Sequence, residues 1–157
     1  METGIKVLDA MTRLPITVSP QATLEACAQL MDKHNVGSLL VVEDKKLIGI
    51  LTERDFVRRV VSKNVSPAST QVSSVMTKNI VCISPDLDIF RALEHMREYD
   101  VRHVPVIHQE NLLGFLTIKD VLRIQPDLFD LVVERYQIRE SEKKPLPEKF
   151  RVELYND

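Results

Sequence analysis

The sequence predicts a mixed α+β / α/β fold: two tandem β-α-β-β-α repeats packed with pseudo-two-fold symmetry, then a C-terminal helix and tail. Three observations predict it. Residues 11–56 align with residues 76–121 without a gap, at an offset of 65 positions. Both copies carry the same order of apolar patterns. Neither copy is long enough to bury much surface alone, so the two should pack against each other.

The alignment rests on identities spread along its length. Met11, Thr12, Ser19, Pro20, Met31, Val36, Val41, Leu47, Gly49, Leu51, Thr52 and Asp55 all recur 65 residues later. Internal repeats are read before local structure because overlooking one misassigns the whole fold. The repeat places a first unit at residues 5–61, a linker at 62–71 (SKNVSPASTQ) and a second unit at 72–124. Residues 125–157 are expected to hold a C-terminal helix and a polar tail.

Each unit opens with a short apolar run, Ile16 to Val18 and Ile80 to Ile83, which ends at Ser-Pro as a strand stopped by a turn does. A helix follows. Leu24, Cys27, Ala28 and Met31 stand at i, i+3, i+4, i+7, as do Ile89, Ala92, Leu93 and Met96, which predicts one buried stripe per unit. Thr23 and Asp88 precede the stripes as N-caps. Two apolar runs come next, 36–42 with 47–52 and 101–107 with 112–117, each pair separated by four polar residues as in a hairpin. Second helices are expected at 55–61 and 120–124. Beyond them, Leu128, Leu131, Val132, Arg135 and Tyr136 give an amphipathic face over about 127–139.

Composition narrows the function. Of 157 residues, 44% are apolar and 28% charged, an ordinary globular balance, and the formal charge is −2. No Lys/Arg-rich run supplies the footprint expected for nucleic acid or an anionic membrane. The start METGIKVLDAMT lacks the features of a secretory signal, and no apolar run reaches the length of a membrane span. Cys27 and Cys82 lie far apart without metal-ligand spacing, so a reduced, cytoplasmic protein without a structural metal is expected.

The second hairpin strand of each unit ends in the same tag, Gly-Ile-Leu-Thr-Glu-Arg-Asp at 49–55 and Gly-Phe-Leu-Thr-Ile-Lys-Asp at 114–120. One explanation is helix capping, with Thr52 and Thr117 as N-caps and Asp55 and Asp120 as the acids of a capping box. The other uses the same geometry for a ligand. A strand that runs into a helix N-terminus presents unpaired N–H groups to a phosphate, and an aspartate there can accept both hydroxyls of a ribose. Arg54 and Lys119 precede the two acids, where a cation serves a phosphate better than it serves a cap. The four glycines (Gly4, Gly37, Gly49 and Gly114) form no phosphate-cradling loop, which favours binding a nucleotide over hydrolysing it.

These pieces together resemble a known family. Val75-Met76-Thr77, the Ser-Pro turns, the Ala/Met stripes, the run Val101-Arg102-His103-Val104-Pro105-Val106 and the two tags resemble the cystathionine-β-synthase (CBS) domain. The pair, over residues 5–124, resembles a Bateman module. The resemblance implies a non-catalytic regulatory module with two clefts for adenosine-containing ligands: AMP, ADP, ATP or S-adenosylmethionine. Carried onto this chain, one cleft would combine Thr52, Arg54 and Asp55 with Ile80, Val81, Arg102, His103 and Pro105. The other would combine Thr117, Lys119 and Asp120 with Ile16, Thr17, Gly37 and Ser38. Gly37-Ser38 and Leu40 stand where the second unit has Arg102-His103 and Pro105, so the clefts are expected to differ in anion binding.

The resemblance also implies a homodimer that passes ligand state to a separate effector protein. A dimerising scaffold with vestigial clefts is the alternative. An enzyme is not expected, because no nucleophile adjoins a base and no cofactor loop or metal set is present.

Overall fold

The computed structural model describes residues 1–133. The chain folds as two strand–helix repeats related by a pseudo-two-fold axis, with a helical C-terminal extension. In the first repeat, β1 (Thr17–Val18), α2 (Leu24–His34), β2 (Ser38–Glu43) and β3 (Lys46–Thr52) follow a short helix α1 (Val7–Ala10). A three-residue α3 (Glu53–Asp55) then runs into a π-helical turn, Phe56–Val60, and a 3₁₀ turn, Val61–Lys63. The second repeat holds α4 (Ile89–Glu98), β4 (His103–His108), β5 (Asn111–Thr117) and a regular α5 (Ile118–Ile124). The expected α-helix over 55–61 is thus mostly π-helical, whereas its counterpart is not.

The hairpins match in detail. Glu43 pairs with Lys46 and His108 with Asn111, so each loop has only two central residues. Those residues, Asp44-Lys45 and Gln109-Glu110, all have positive φ, the requirement of a turn that follows the strand twist. Both hairpins also shift register at the same place, after Val41 and after Val106.

The opening strands do not match. β1 pairs in parallel with β2, and Leu40 donates its N–H to the Ile16 carbonyl at 3.2 Å. The second repeat has no strand over 80–83, only a single bridge between Ile83 and Val106. Pro105 replaces Leu40 there and has no N–H to donate, so the ladder is one bond short. Cys82 is exposed, as its counterpart Thr17 is, while Cys27 is buried.

There are two hydrophobic cores, and each borrows the lead segment of the other repeat. The first gathers Leu24, Cys27 and Met31 from α2 and Leu39, Val41 and Leu51 from the sheet, but also Val72, Val75 and Met76. The second gathers Ile89, Ala92, Leu93 and Met96 with Val104, Val106 and Leu116, but also Val7, Ala10 and Met11. Ala28 faces solvent, unlike its counterpart Leu93.

Two seams hold this exchange. Thr77 and Ile50 trade backbone hydrogen bonds of 2.9 and 3.0 Å, as Thr12 and Phe115 do at 2.8 and 2.9 Å. The glycines of the tags make room for the exchange. A Cβ on Gly49 would lie 2.2 Å from the Met76 sulfur, and one on Gly114 only 2.6 Å from the Thr12 carbonyl oxygen. The linker is pinned as well: Leu24 donates to the Thr70 carbonyl at 2.9 Å, and Val72 to that of Ala22 at 2.8 Å.

Thr23 and Asp88 cap α2 and α4 through side-chain bonds from the N–H groups of Ala26 and Phe90. Asp88 does more. It also accepts from the N–H groups of Thr3 and Gly4 at 2.9 and 2.8 Å and from the Thr3 hydroxyl, tying the chain start to the second repeat. Burial pushes its carboxyl pKa up, but these bonds together outweigh burial and hold it below the usual range. A lowered carboxyl pKa contributes stability that is full above the unfolded value of about 4 and is lost as acid protonates the folded group. Asp88→Ala should cost about 2 kcal/mol from the lost cap and charged hydrogen bonds. Thermal melts should show this as roughly 4–8 °C. The gap between wild type and Asp88→Asn should narrow below about pH 4.

The C-terminal extension begins with a 3₁₀ turn, Pro126–Leu128, and is helical over 129–133. Leu128 and Val132 are buried in the second core, so this part of the extension covers its own module. The rest of the amphipathic face, with Arg135 and Tyr136, lies outside the described residues. Among the described residues, no helix is long and apolar enough to cross a membrane.

Candidate functional site

Both tags form complete capping boxes. In each, one carboxylate oxygen is engaged by the threonine: Asp55 Oδ2 accepts from the Thr52 N–H at 2.9 Å and its hydroxyl at 3.0 Å. Asp120 Oδ2 accepts from Thr117 in the same way, at 2.9 and 2.7 Å. The threonine hydroxyls in turn accept from the N–H groups of Asp55 and Asp120. Capping therefore accounts for one oxygen of each acid. The other, Oδ1, faces an arginine: Arg59 Nε at 3.4 Å from Asp55, and Arg123 Nη2 at 3.6 Å from Asp120.

Asp55 lies in a cleft of about 720 Å³ between the repeats. Thr52 and Arg54 come to it from the first tag, and Ile80 and Val81 from the irregular segment before the second repeat's hairpin. Arg102, His103 and Pro105 come from β4 and the residue before it. The cleft therefore mixes both repeats. Its volume falls within the ordinary range for small-molecule sites.

Gly37 lines this same cleft. The reason is local. The Gly37 carbonyl accepts the Glu53 N–H at 3.1 Å, which fixes it beside the first tag, and glycine has no side chain to extend elsewhere. Thr117, Lys119, Asp120, Ile16, Thr17 and Ser38 are not among the residues lining this cleft. Thr17 and Lys119 are exposed, and Ile16, Ser38, Thr117 and Asp120 are half-buried.

Sequence reasoning missed several lining residues. Arg58 and Arg59 stand three and four positions after Asp55, a helical spacing that could have put them on its face. Glu53 sits inside the tag itself. Thr77 and Asn79 had no local signal, because they reach the cleft only through the exchange of lead segments. Asp100 follows α4 with positive φ, as Asn35 does after α2.

The walls differ in chemistry. Ile80, Val81 and Pro105 make an apolar flank suited to a flat heterocycle. Arg54, Arg58, Arg59 and Arg102 line the cleft with Glu53, Asp55 and Asp100, so cationic groups outnumber anionic ones on its wall. His103 stacks at a tilt on Phe115, with ring centroids 5.5 Å apart. Burial pushes its imidazole pKa down, the Arg102 guanidinium adds to this, and Asp55 works against both.

The unfolded imidazole titrates near 6.5, so below that pH the unfolded chain holds more protons than the folded one and stability falls. Wild type should lose more melting temperature than His103→Gln between about pH 7.5 and about pH 5.5. Among the described residues, no group of three or more His, Cys, Asp or Glu side chains is placed to hold a metal ion.

Comparison with known proteins places this architecture. The family model for the CBS domain matches residues 7–62 and again residues 72–127. The chain belongs to the CBS domain family. It is 36% identical over 115 residues to the CBS domain-containing protein YhcV of Bacillus subtilis, covering 73% of this chain and 81% of that one. Among solved structures, it resembles a CBS domain pair in complex with 5′-methylthioadenosine and S-adenosyl-L-methionine, at a TM-score of 0.69 and 25% identity. That match covers 76% of this chain and 98% of the other. A hexameric CBS-CP12 protein from bloom-forming cyanobacteria is similar at a TM-score of 0.69 and 26% identity, over 80% of this chain and 73% of that one. The CBS pair of this chain departs from strict repetition at the cleft, where Pro105 and Arg102 have Leu40 and Gly37 as counterparts.

Proposed function

We propose that this CBS pair is a non-catalytic regulatory module that binds an adenosine-containing ligand (AMP, ADP, ATP or S-adenosylmethionine) in the cleft at Asp55. The observation that carries the reading is the division of labour at Asp55: Oδ2 is held by the cap and Oδ1 is left to Arg59, on a residue that lines a cleft with an apolar flank and several guanidinium groups. A ribose diol would donate to Oδ1, the base would lie against Ile80, Val81 and Pro105, and the phosphate would meet Arg102 and Arg54. Support also comes from the adenosyl ligands bound by the similar CBS pair.

In this reading Thr117, Lys119 and Asp120, with Ile16, Thr17 and Ser38, form a second, less anion-selective half-site. The module acts as a cytoplasmic homodimer, and ligand state passes to a separate effector protein. Such a shift requires that the ligand bind one state of the module more tightly than another. A purely dimerising scaffold is favoured by exposed apolar side chains such as Val57 and Val61, in the π-helical and 3₁₀ turns after the first tag, which are 65% and 74% accessible.

A thermal-shift series with AMP, ADP, ATP, S-adenosylmethionine and NADH tests the proposal. A ligand at 100 times its Kd adds about 2.7 kcal/mol, or roughly 5–10 °C at this size. An adenosyl compound should give such a shift. A flat response to all five would leave the scaffold in its place.

A further inference from the structure

The geometry points to Arg59 as a positioning residue that couples occupancy of the Asp55 cleft to the seam between the repeats; this rests on the reading that the cleft binds an adenosyl ligand. Arg59 makes one ion pair and one hydrogen bond, to two different segments. Its Nε faces Asp55 Oδ1 at 3.4 Å, the oxygen that the capping box leaves over. Its Nη1 donates to the Val75 carbonyl at 2.7 Å, sixteen residues away in the lead segment of the second repeat. A planar guanidinium is suited to holding two acceptors in a fixed relation.

Val75 is not an arbitrary anchor. It is buried in the first core, next to Met76, whose sulfur fills the space that the missing side chain of Gly49 leaves. Thr77 follows and forms the two-bond seam with Ile50. An ion pair (Asp55–Arg59), a hydrogen bond (Arg59–Val75), the backbone from Val75 to Thr77 and the Thr77–Ile50 bonds therefore connect the cleft wall to the seam.

The second repeat cannot copy this chain. Position 124, the counterpart of Arg59, is isoleucine, which has no side-chain donor. Arg123 approaches Asp120 instead, from a side chain that is 73% exposed and in a regular helix. The π-helical turn Phe56–Val60, which contains Arg59, occurs only in the first repeat among the described residues. Single-turn π segments of this kind tend to occur at functional sites. A ligand diol on Oδ1 immobilises Asp55 and Arg59 together, and that restraint reaches Val75 and tightens the Thr77–Ile50 seam. By reciprocity, whatever loosens the seam weakens the ligand.

Amide hydrogen exchange on the full chain, with and without saturating AMP, tests this in wild type, Arg59→Met and Arg59→Lys. Wild type should show AMP slowing exchange at the Thr77 and Ile50 amides by about fivefold or more, the lower end of ordinary site-to-site coupling. Both variants should lose that slowing. Lysine keeps the charge beside Asp55 but not the second donor arm. The Thr12 and Phe115 amides of the other seam should be indifferent to the substitutions, which separates coupling from a general loss of stability. Slowing that persists in both variants, or AMP binding to wild type without any change at the seam, overturns the coupling alone. Absence of AMP binding to wild type overturns the coupling and the ligand reading together.

Discussion

Gly114→Ala should destabilise the protein by about 3 kcal/mol, the upper range for overpacking a filled core, and lower its melting temperature by roughly 6–12 °C. The added methyl would sit 2.6 Å from the Thr12 carbonyl oxygen, so backbone must move. That same carbonyl accepts the Phe115 N–H at 2.9 Å, and moving it breaks the seam. Gly49→Ala should cost less, about 1–2 kcal/mol, because the obstacle there is the Met76 side chain, which can rotate at the expense of packing. Gly37→Ala should be close to neutral, since only the Glu53 carboxylate lies near, at 3.3 Å. Denaturant melts of the three variants should rank in that order. If Gly114→Ala were as stable as wild type, the exchange of lead segments would not be the arrangement that the glycines serve.

Asp55→Ala should weaken AMP binding by roughly 10- to 150-fold, the equivalent of one hydrogen bond to a charged group at about 1.5–3 kcal/mol. It should also cost about 1 kcal/mol of stability through the lost cap. Asp120→Ala makes the decisive comparison. Its cap geometry is nearly the same, so its stability loss should be similar, yet it does not line the cleft. Calorimetric titration should therefore find the tighter AMP site intact in Asp120→Ala and weakened by that factor in Asp55→Ala. Equal losses of affinity would mean that the acids act only through helix capping and general stability.

The repeat, the paired hairpins, the helix stripes and both capping boxes were legible because each depends on residues close in sequence. Periodicity finds Ile89, Ala92, Leu93 and Met96, and the spacing of Thr52 and Asp55 is that of a capping box. What escaped was set by distance or by a single missing atom. Met11 belongs to the second core and Met76 to the first, and nothing near either residue announces a partner in the other repeat. The strand expected at 80–83 fails because Pro105, twenty-two positions beyond Ile83, cannot donate. That Gly37 also lines the Asp55 cleft was not legible, because it follows from the backbone bond that its carbonyl accepts from Glu53. The two arginines after Asp55 were visible as letters, yet only the geometry shows that Arg59 faces the carboxylate and the Val75 carbonyl together.

The central claim is that the Asp55 cleft holds an adenosyl ligand by its ribose. A crystal structure of the protein grown with AMP tests it most directly. The expected result is density in that cleft, with the base against Ile80, Val81 and Pro105. Both ribose hydroxyls should lie at hydrogen-bond distance, about 2.7 Å, from the Asp55 carboxylate. Density at Thr117 and Asp120 alone, or an empty Asp55 cleft at saturating AMP, would contradict the claim.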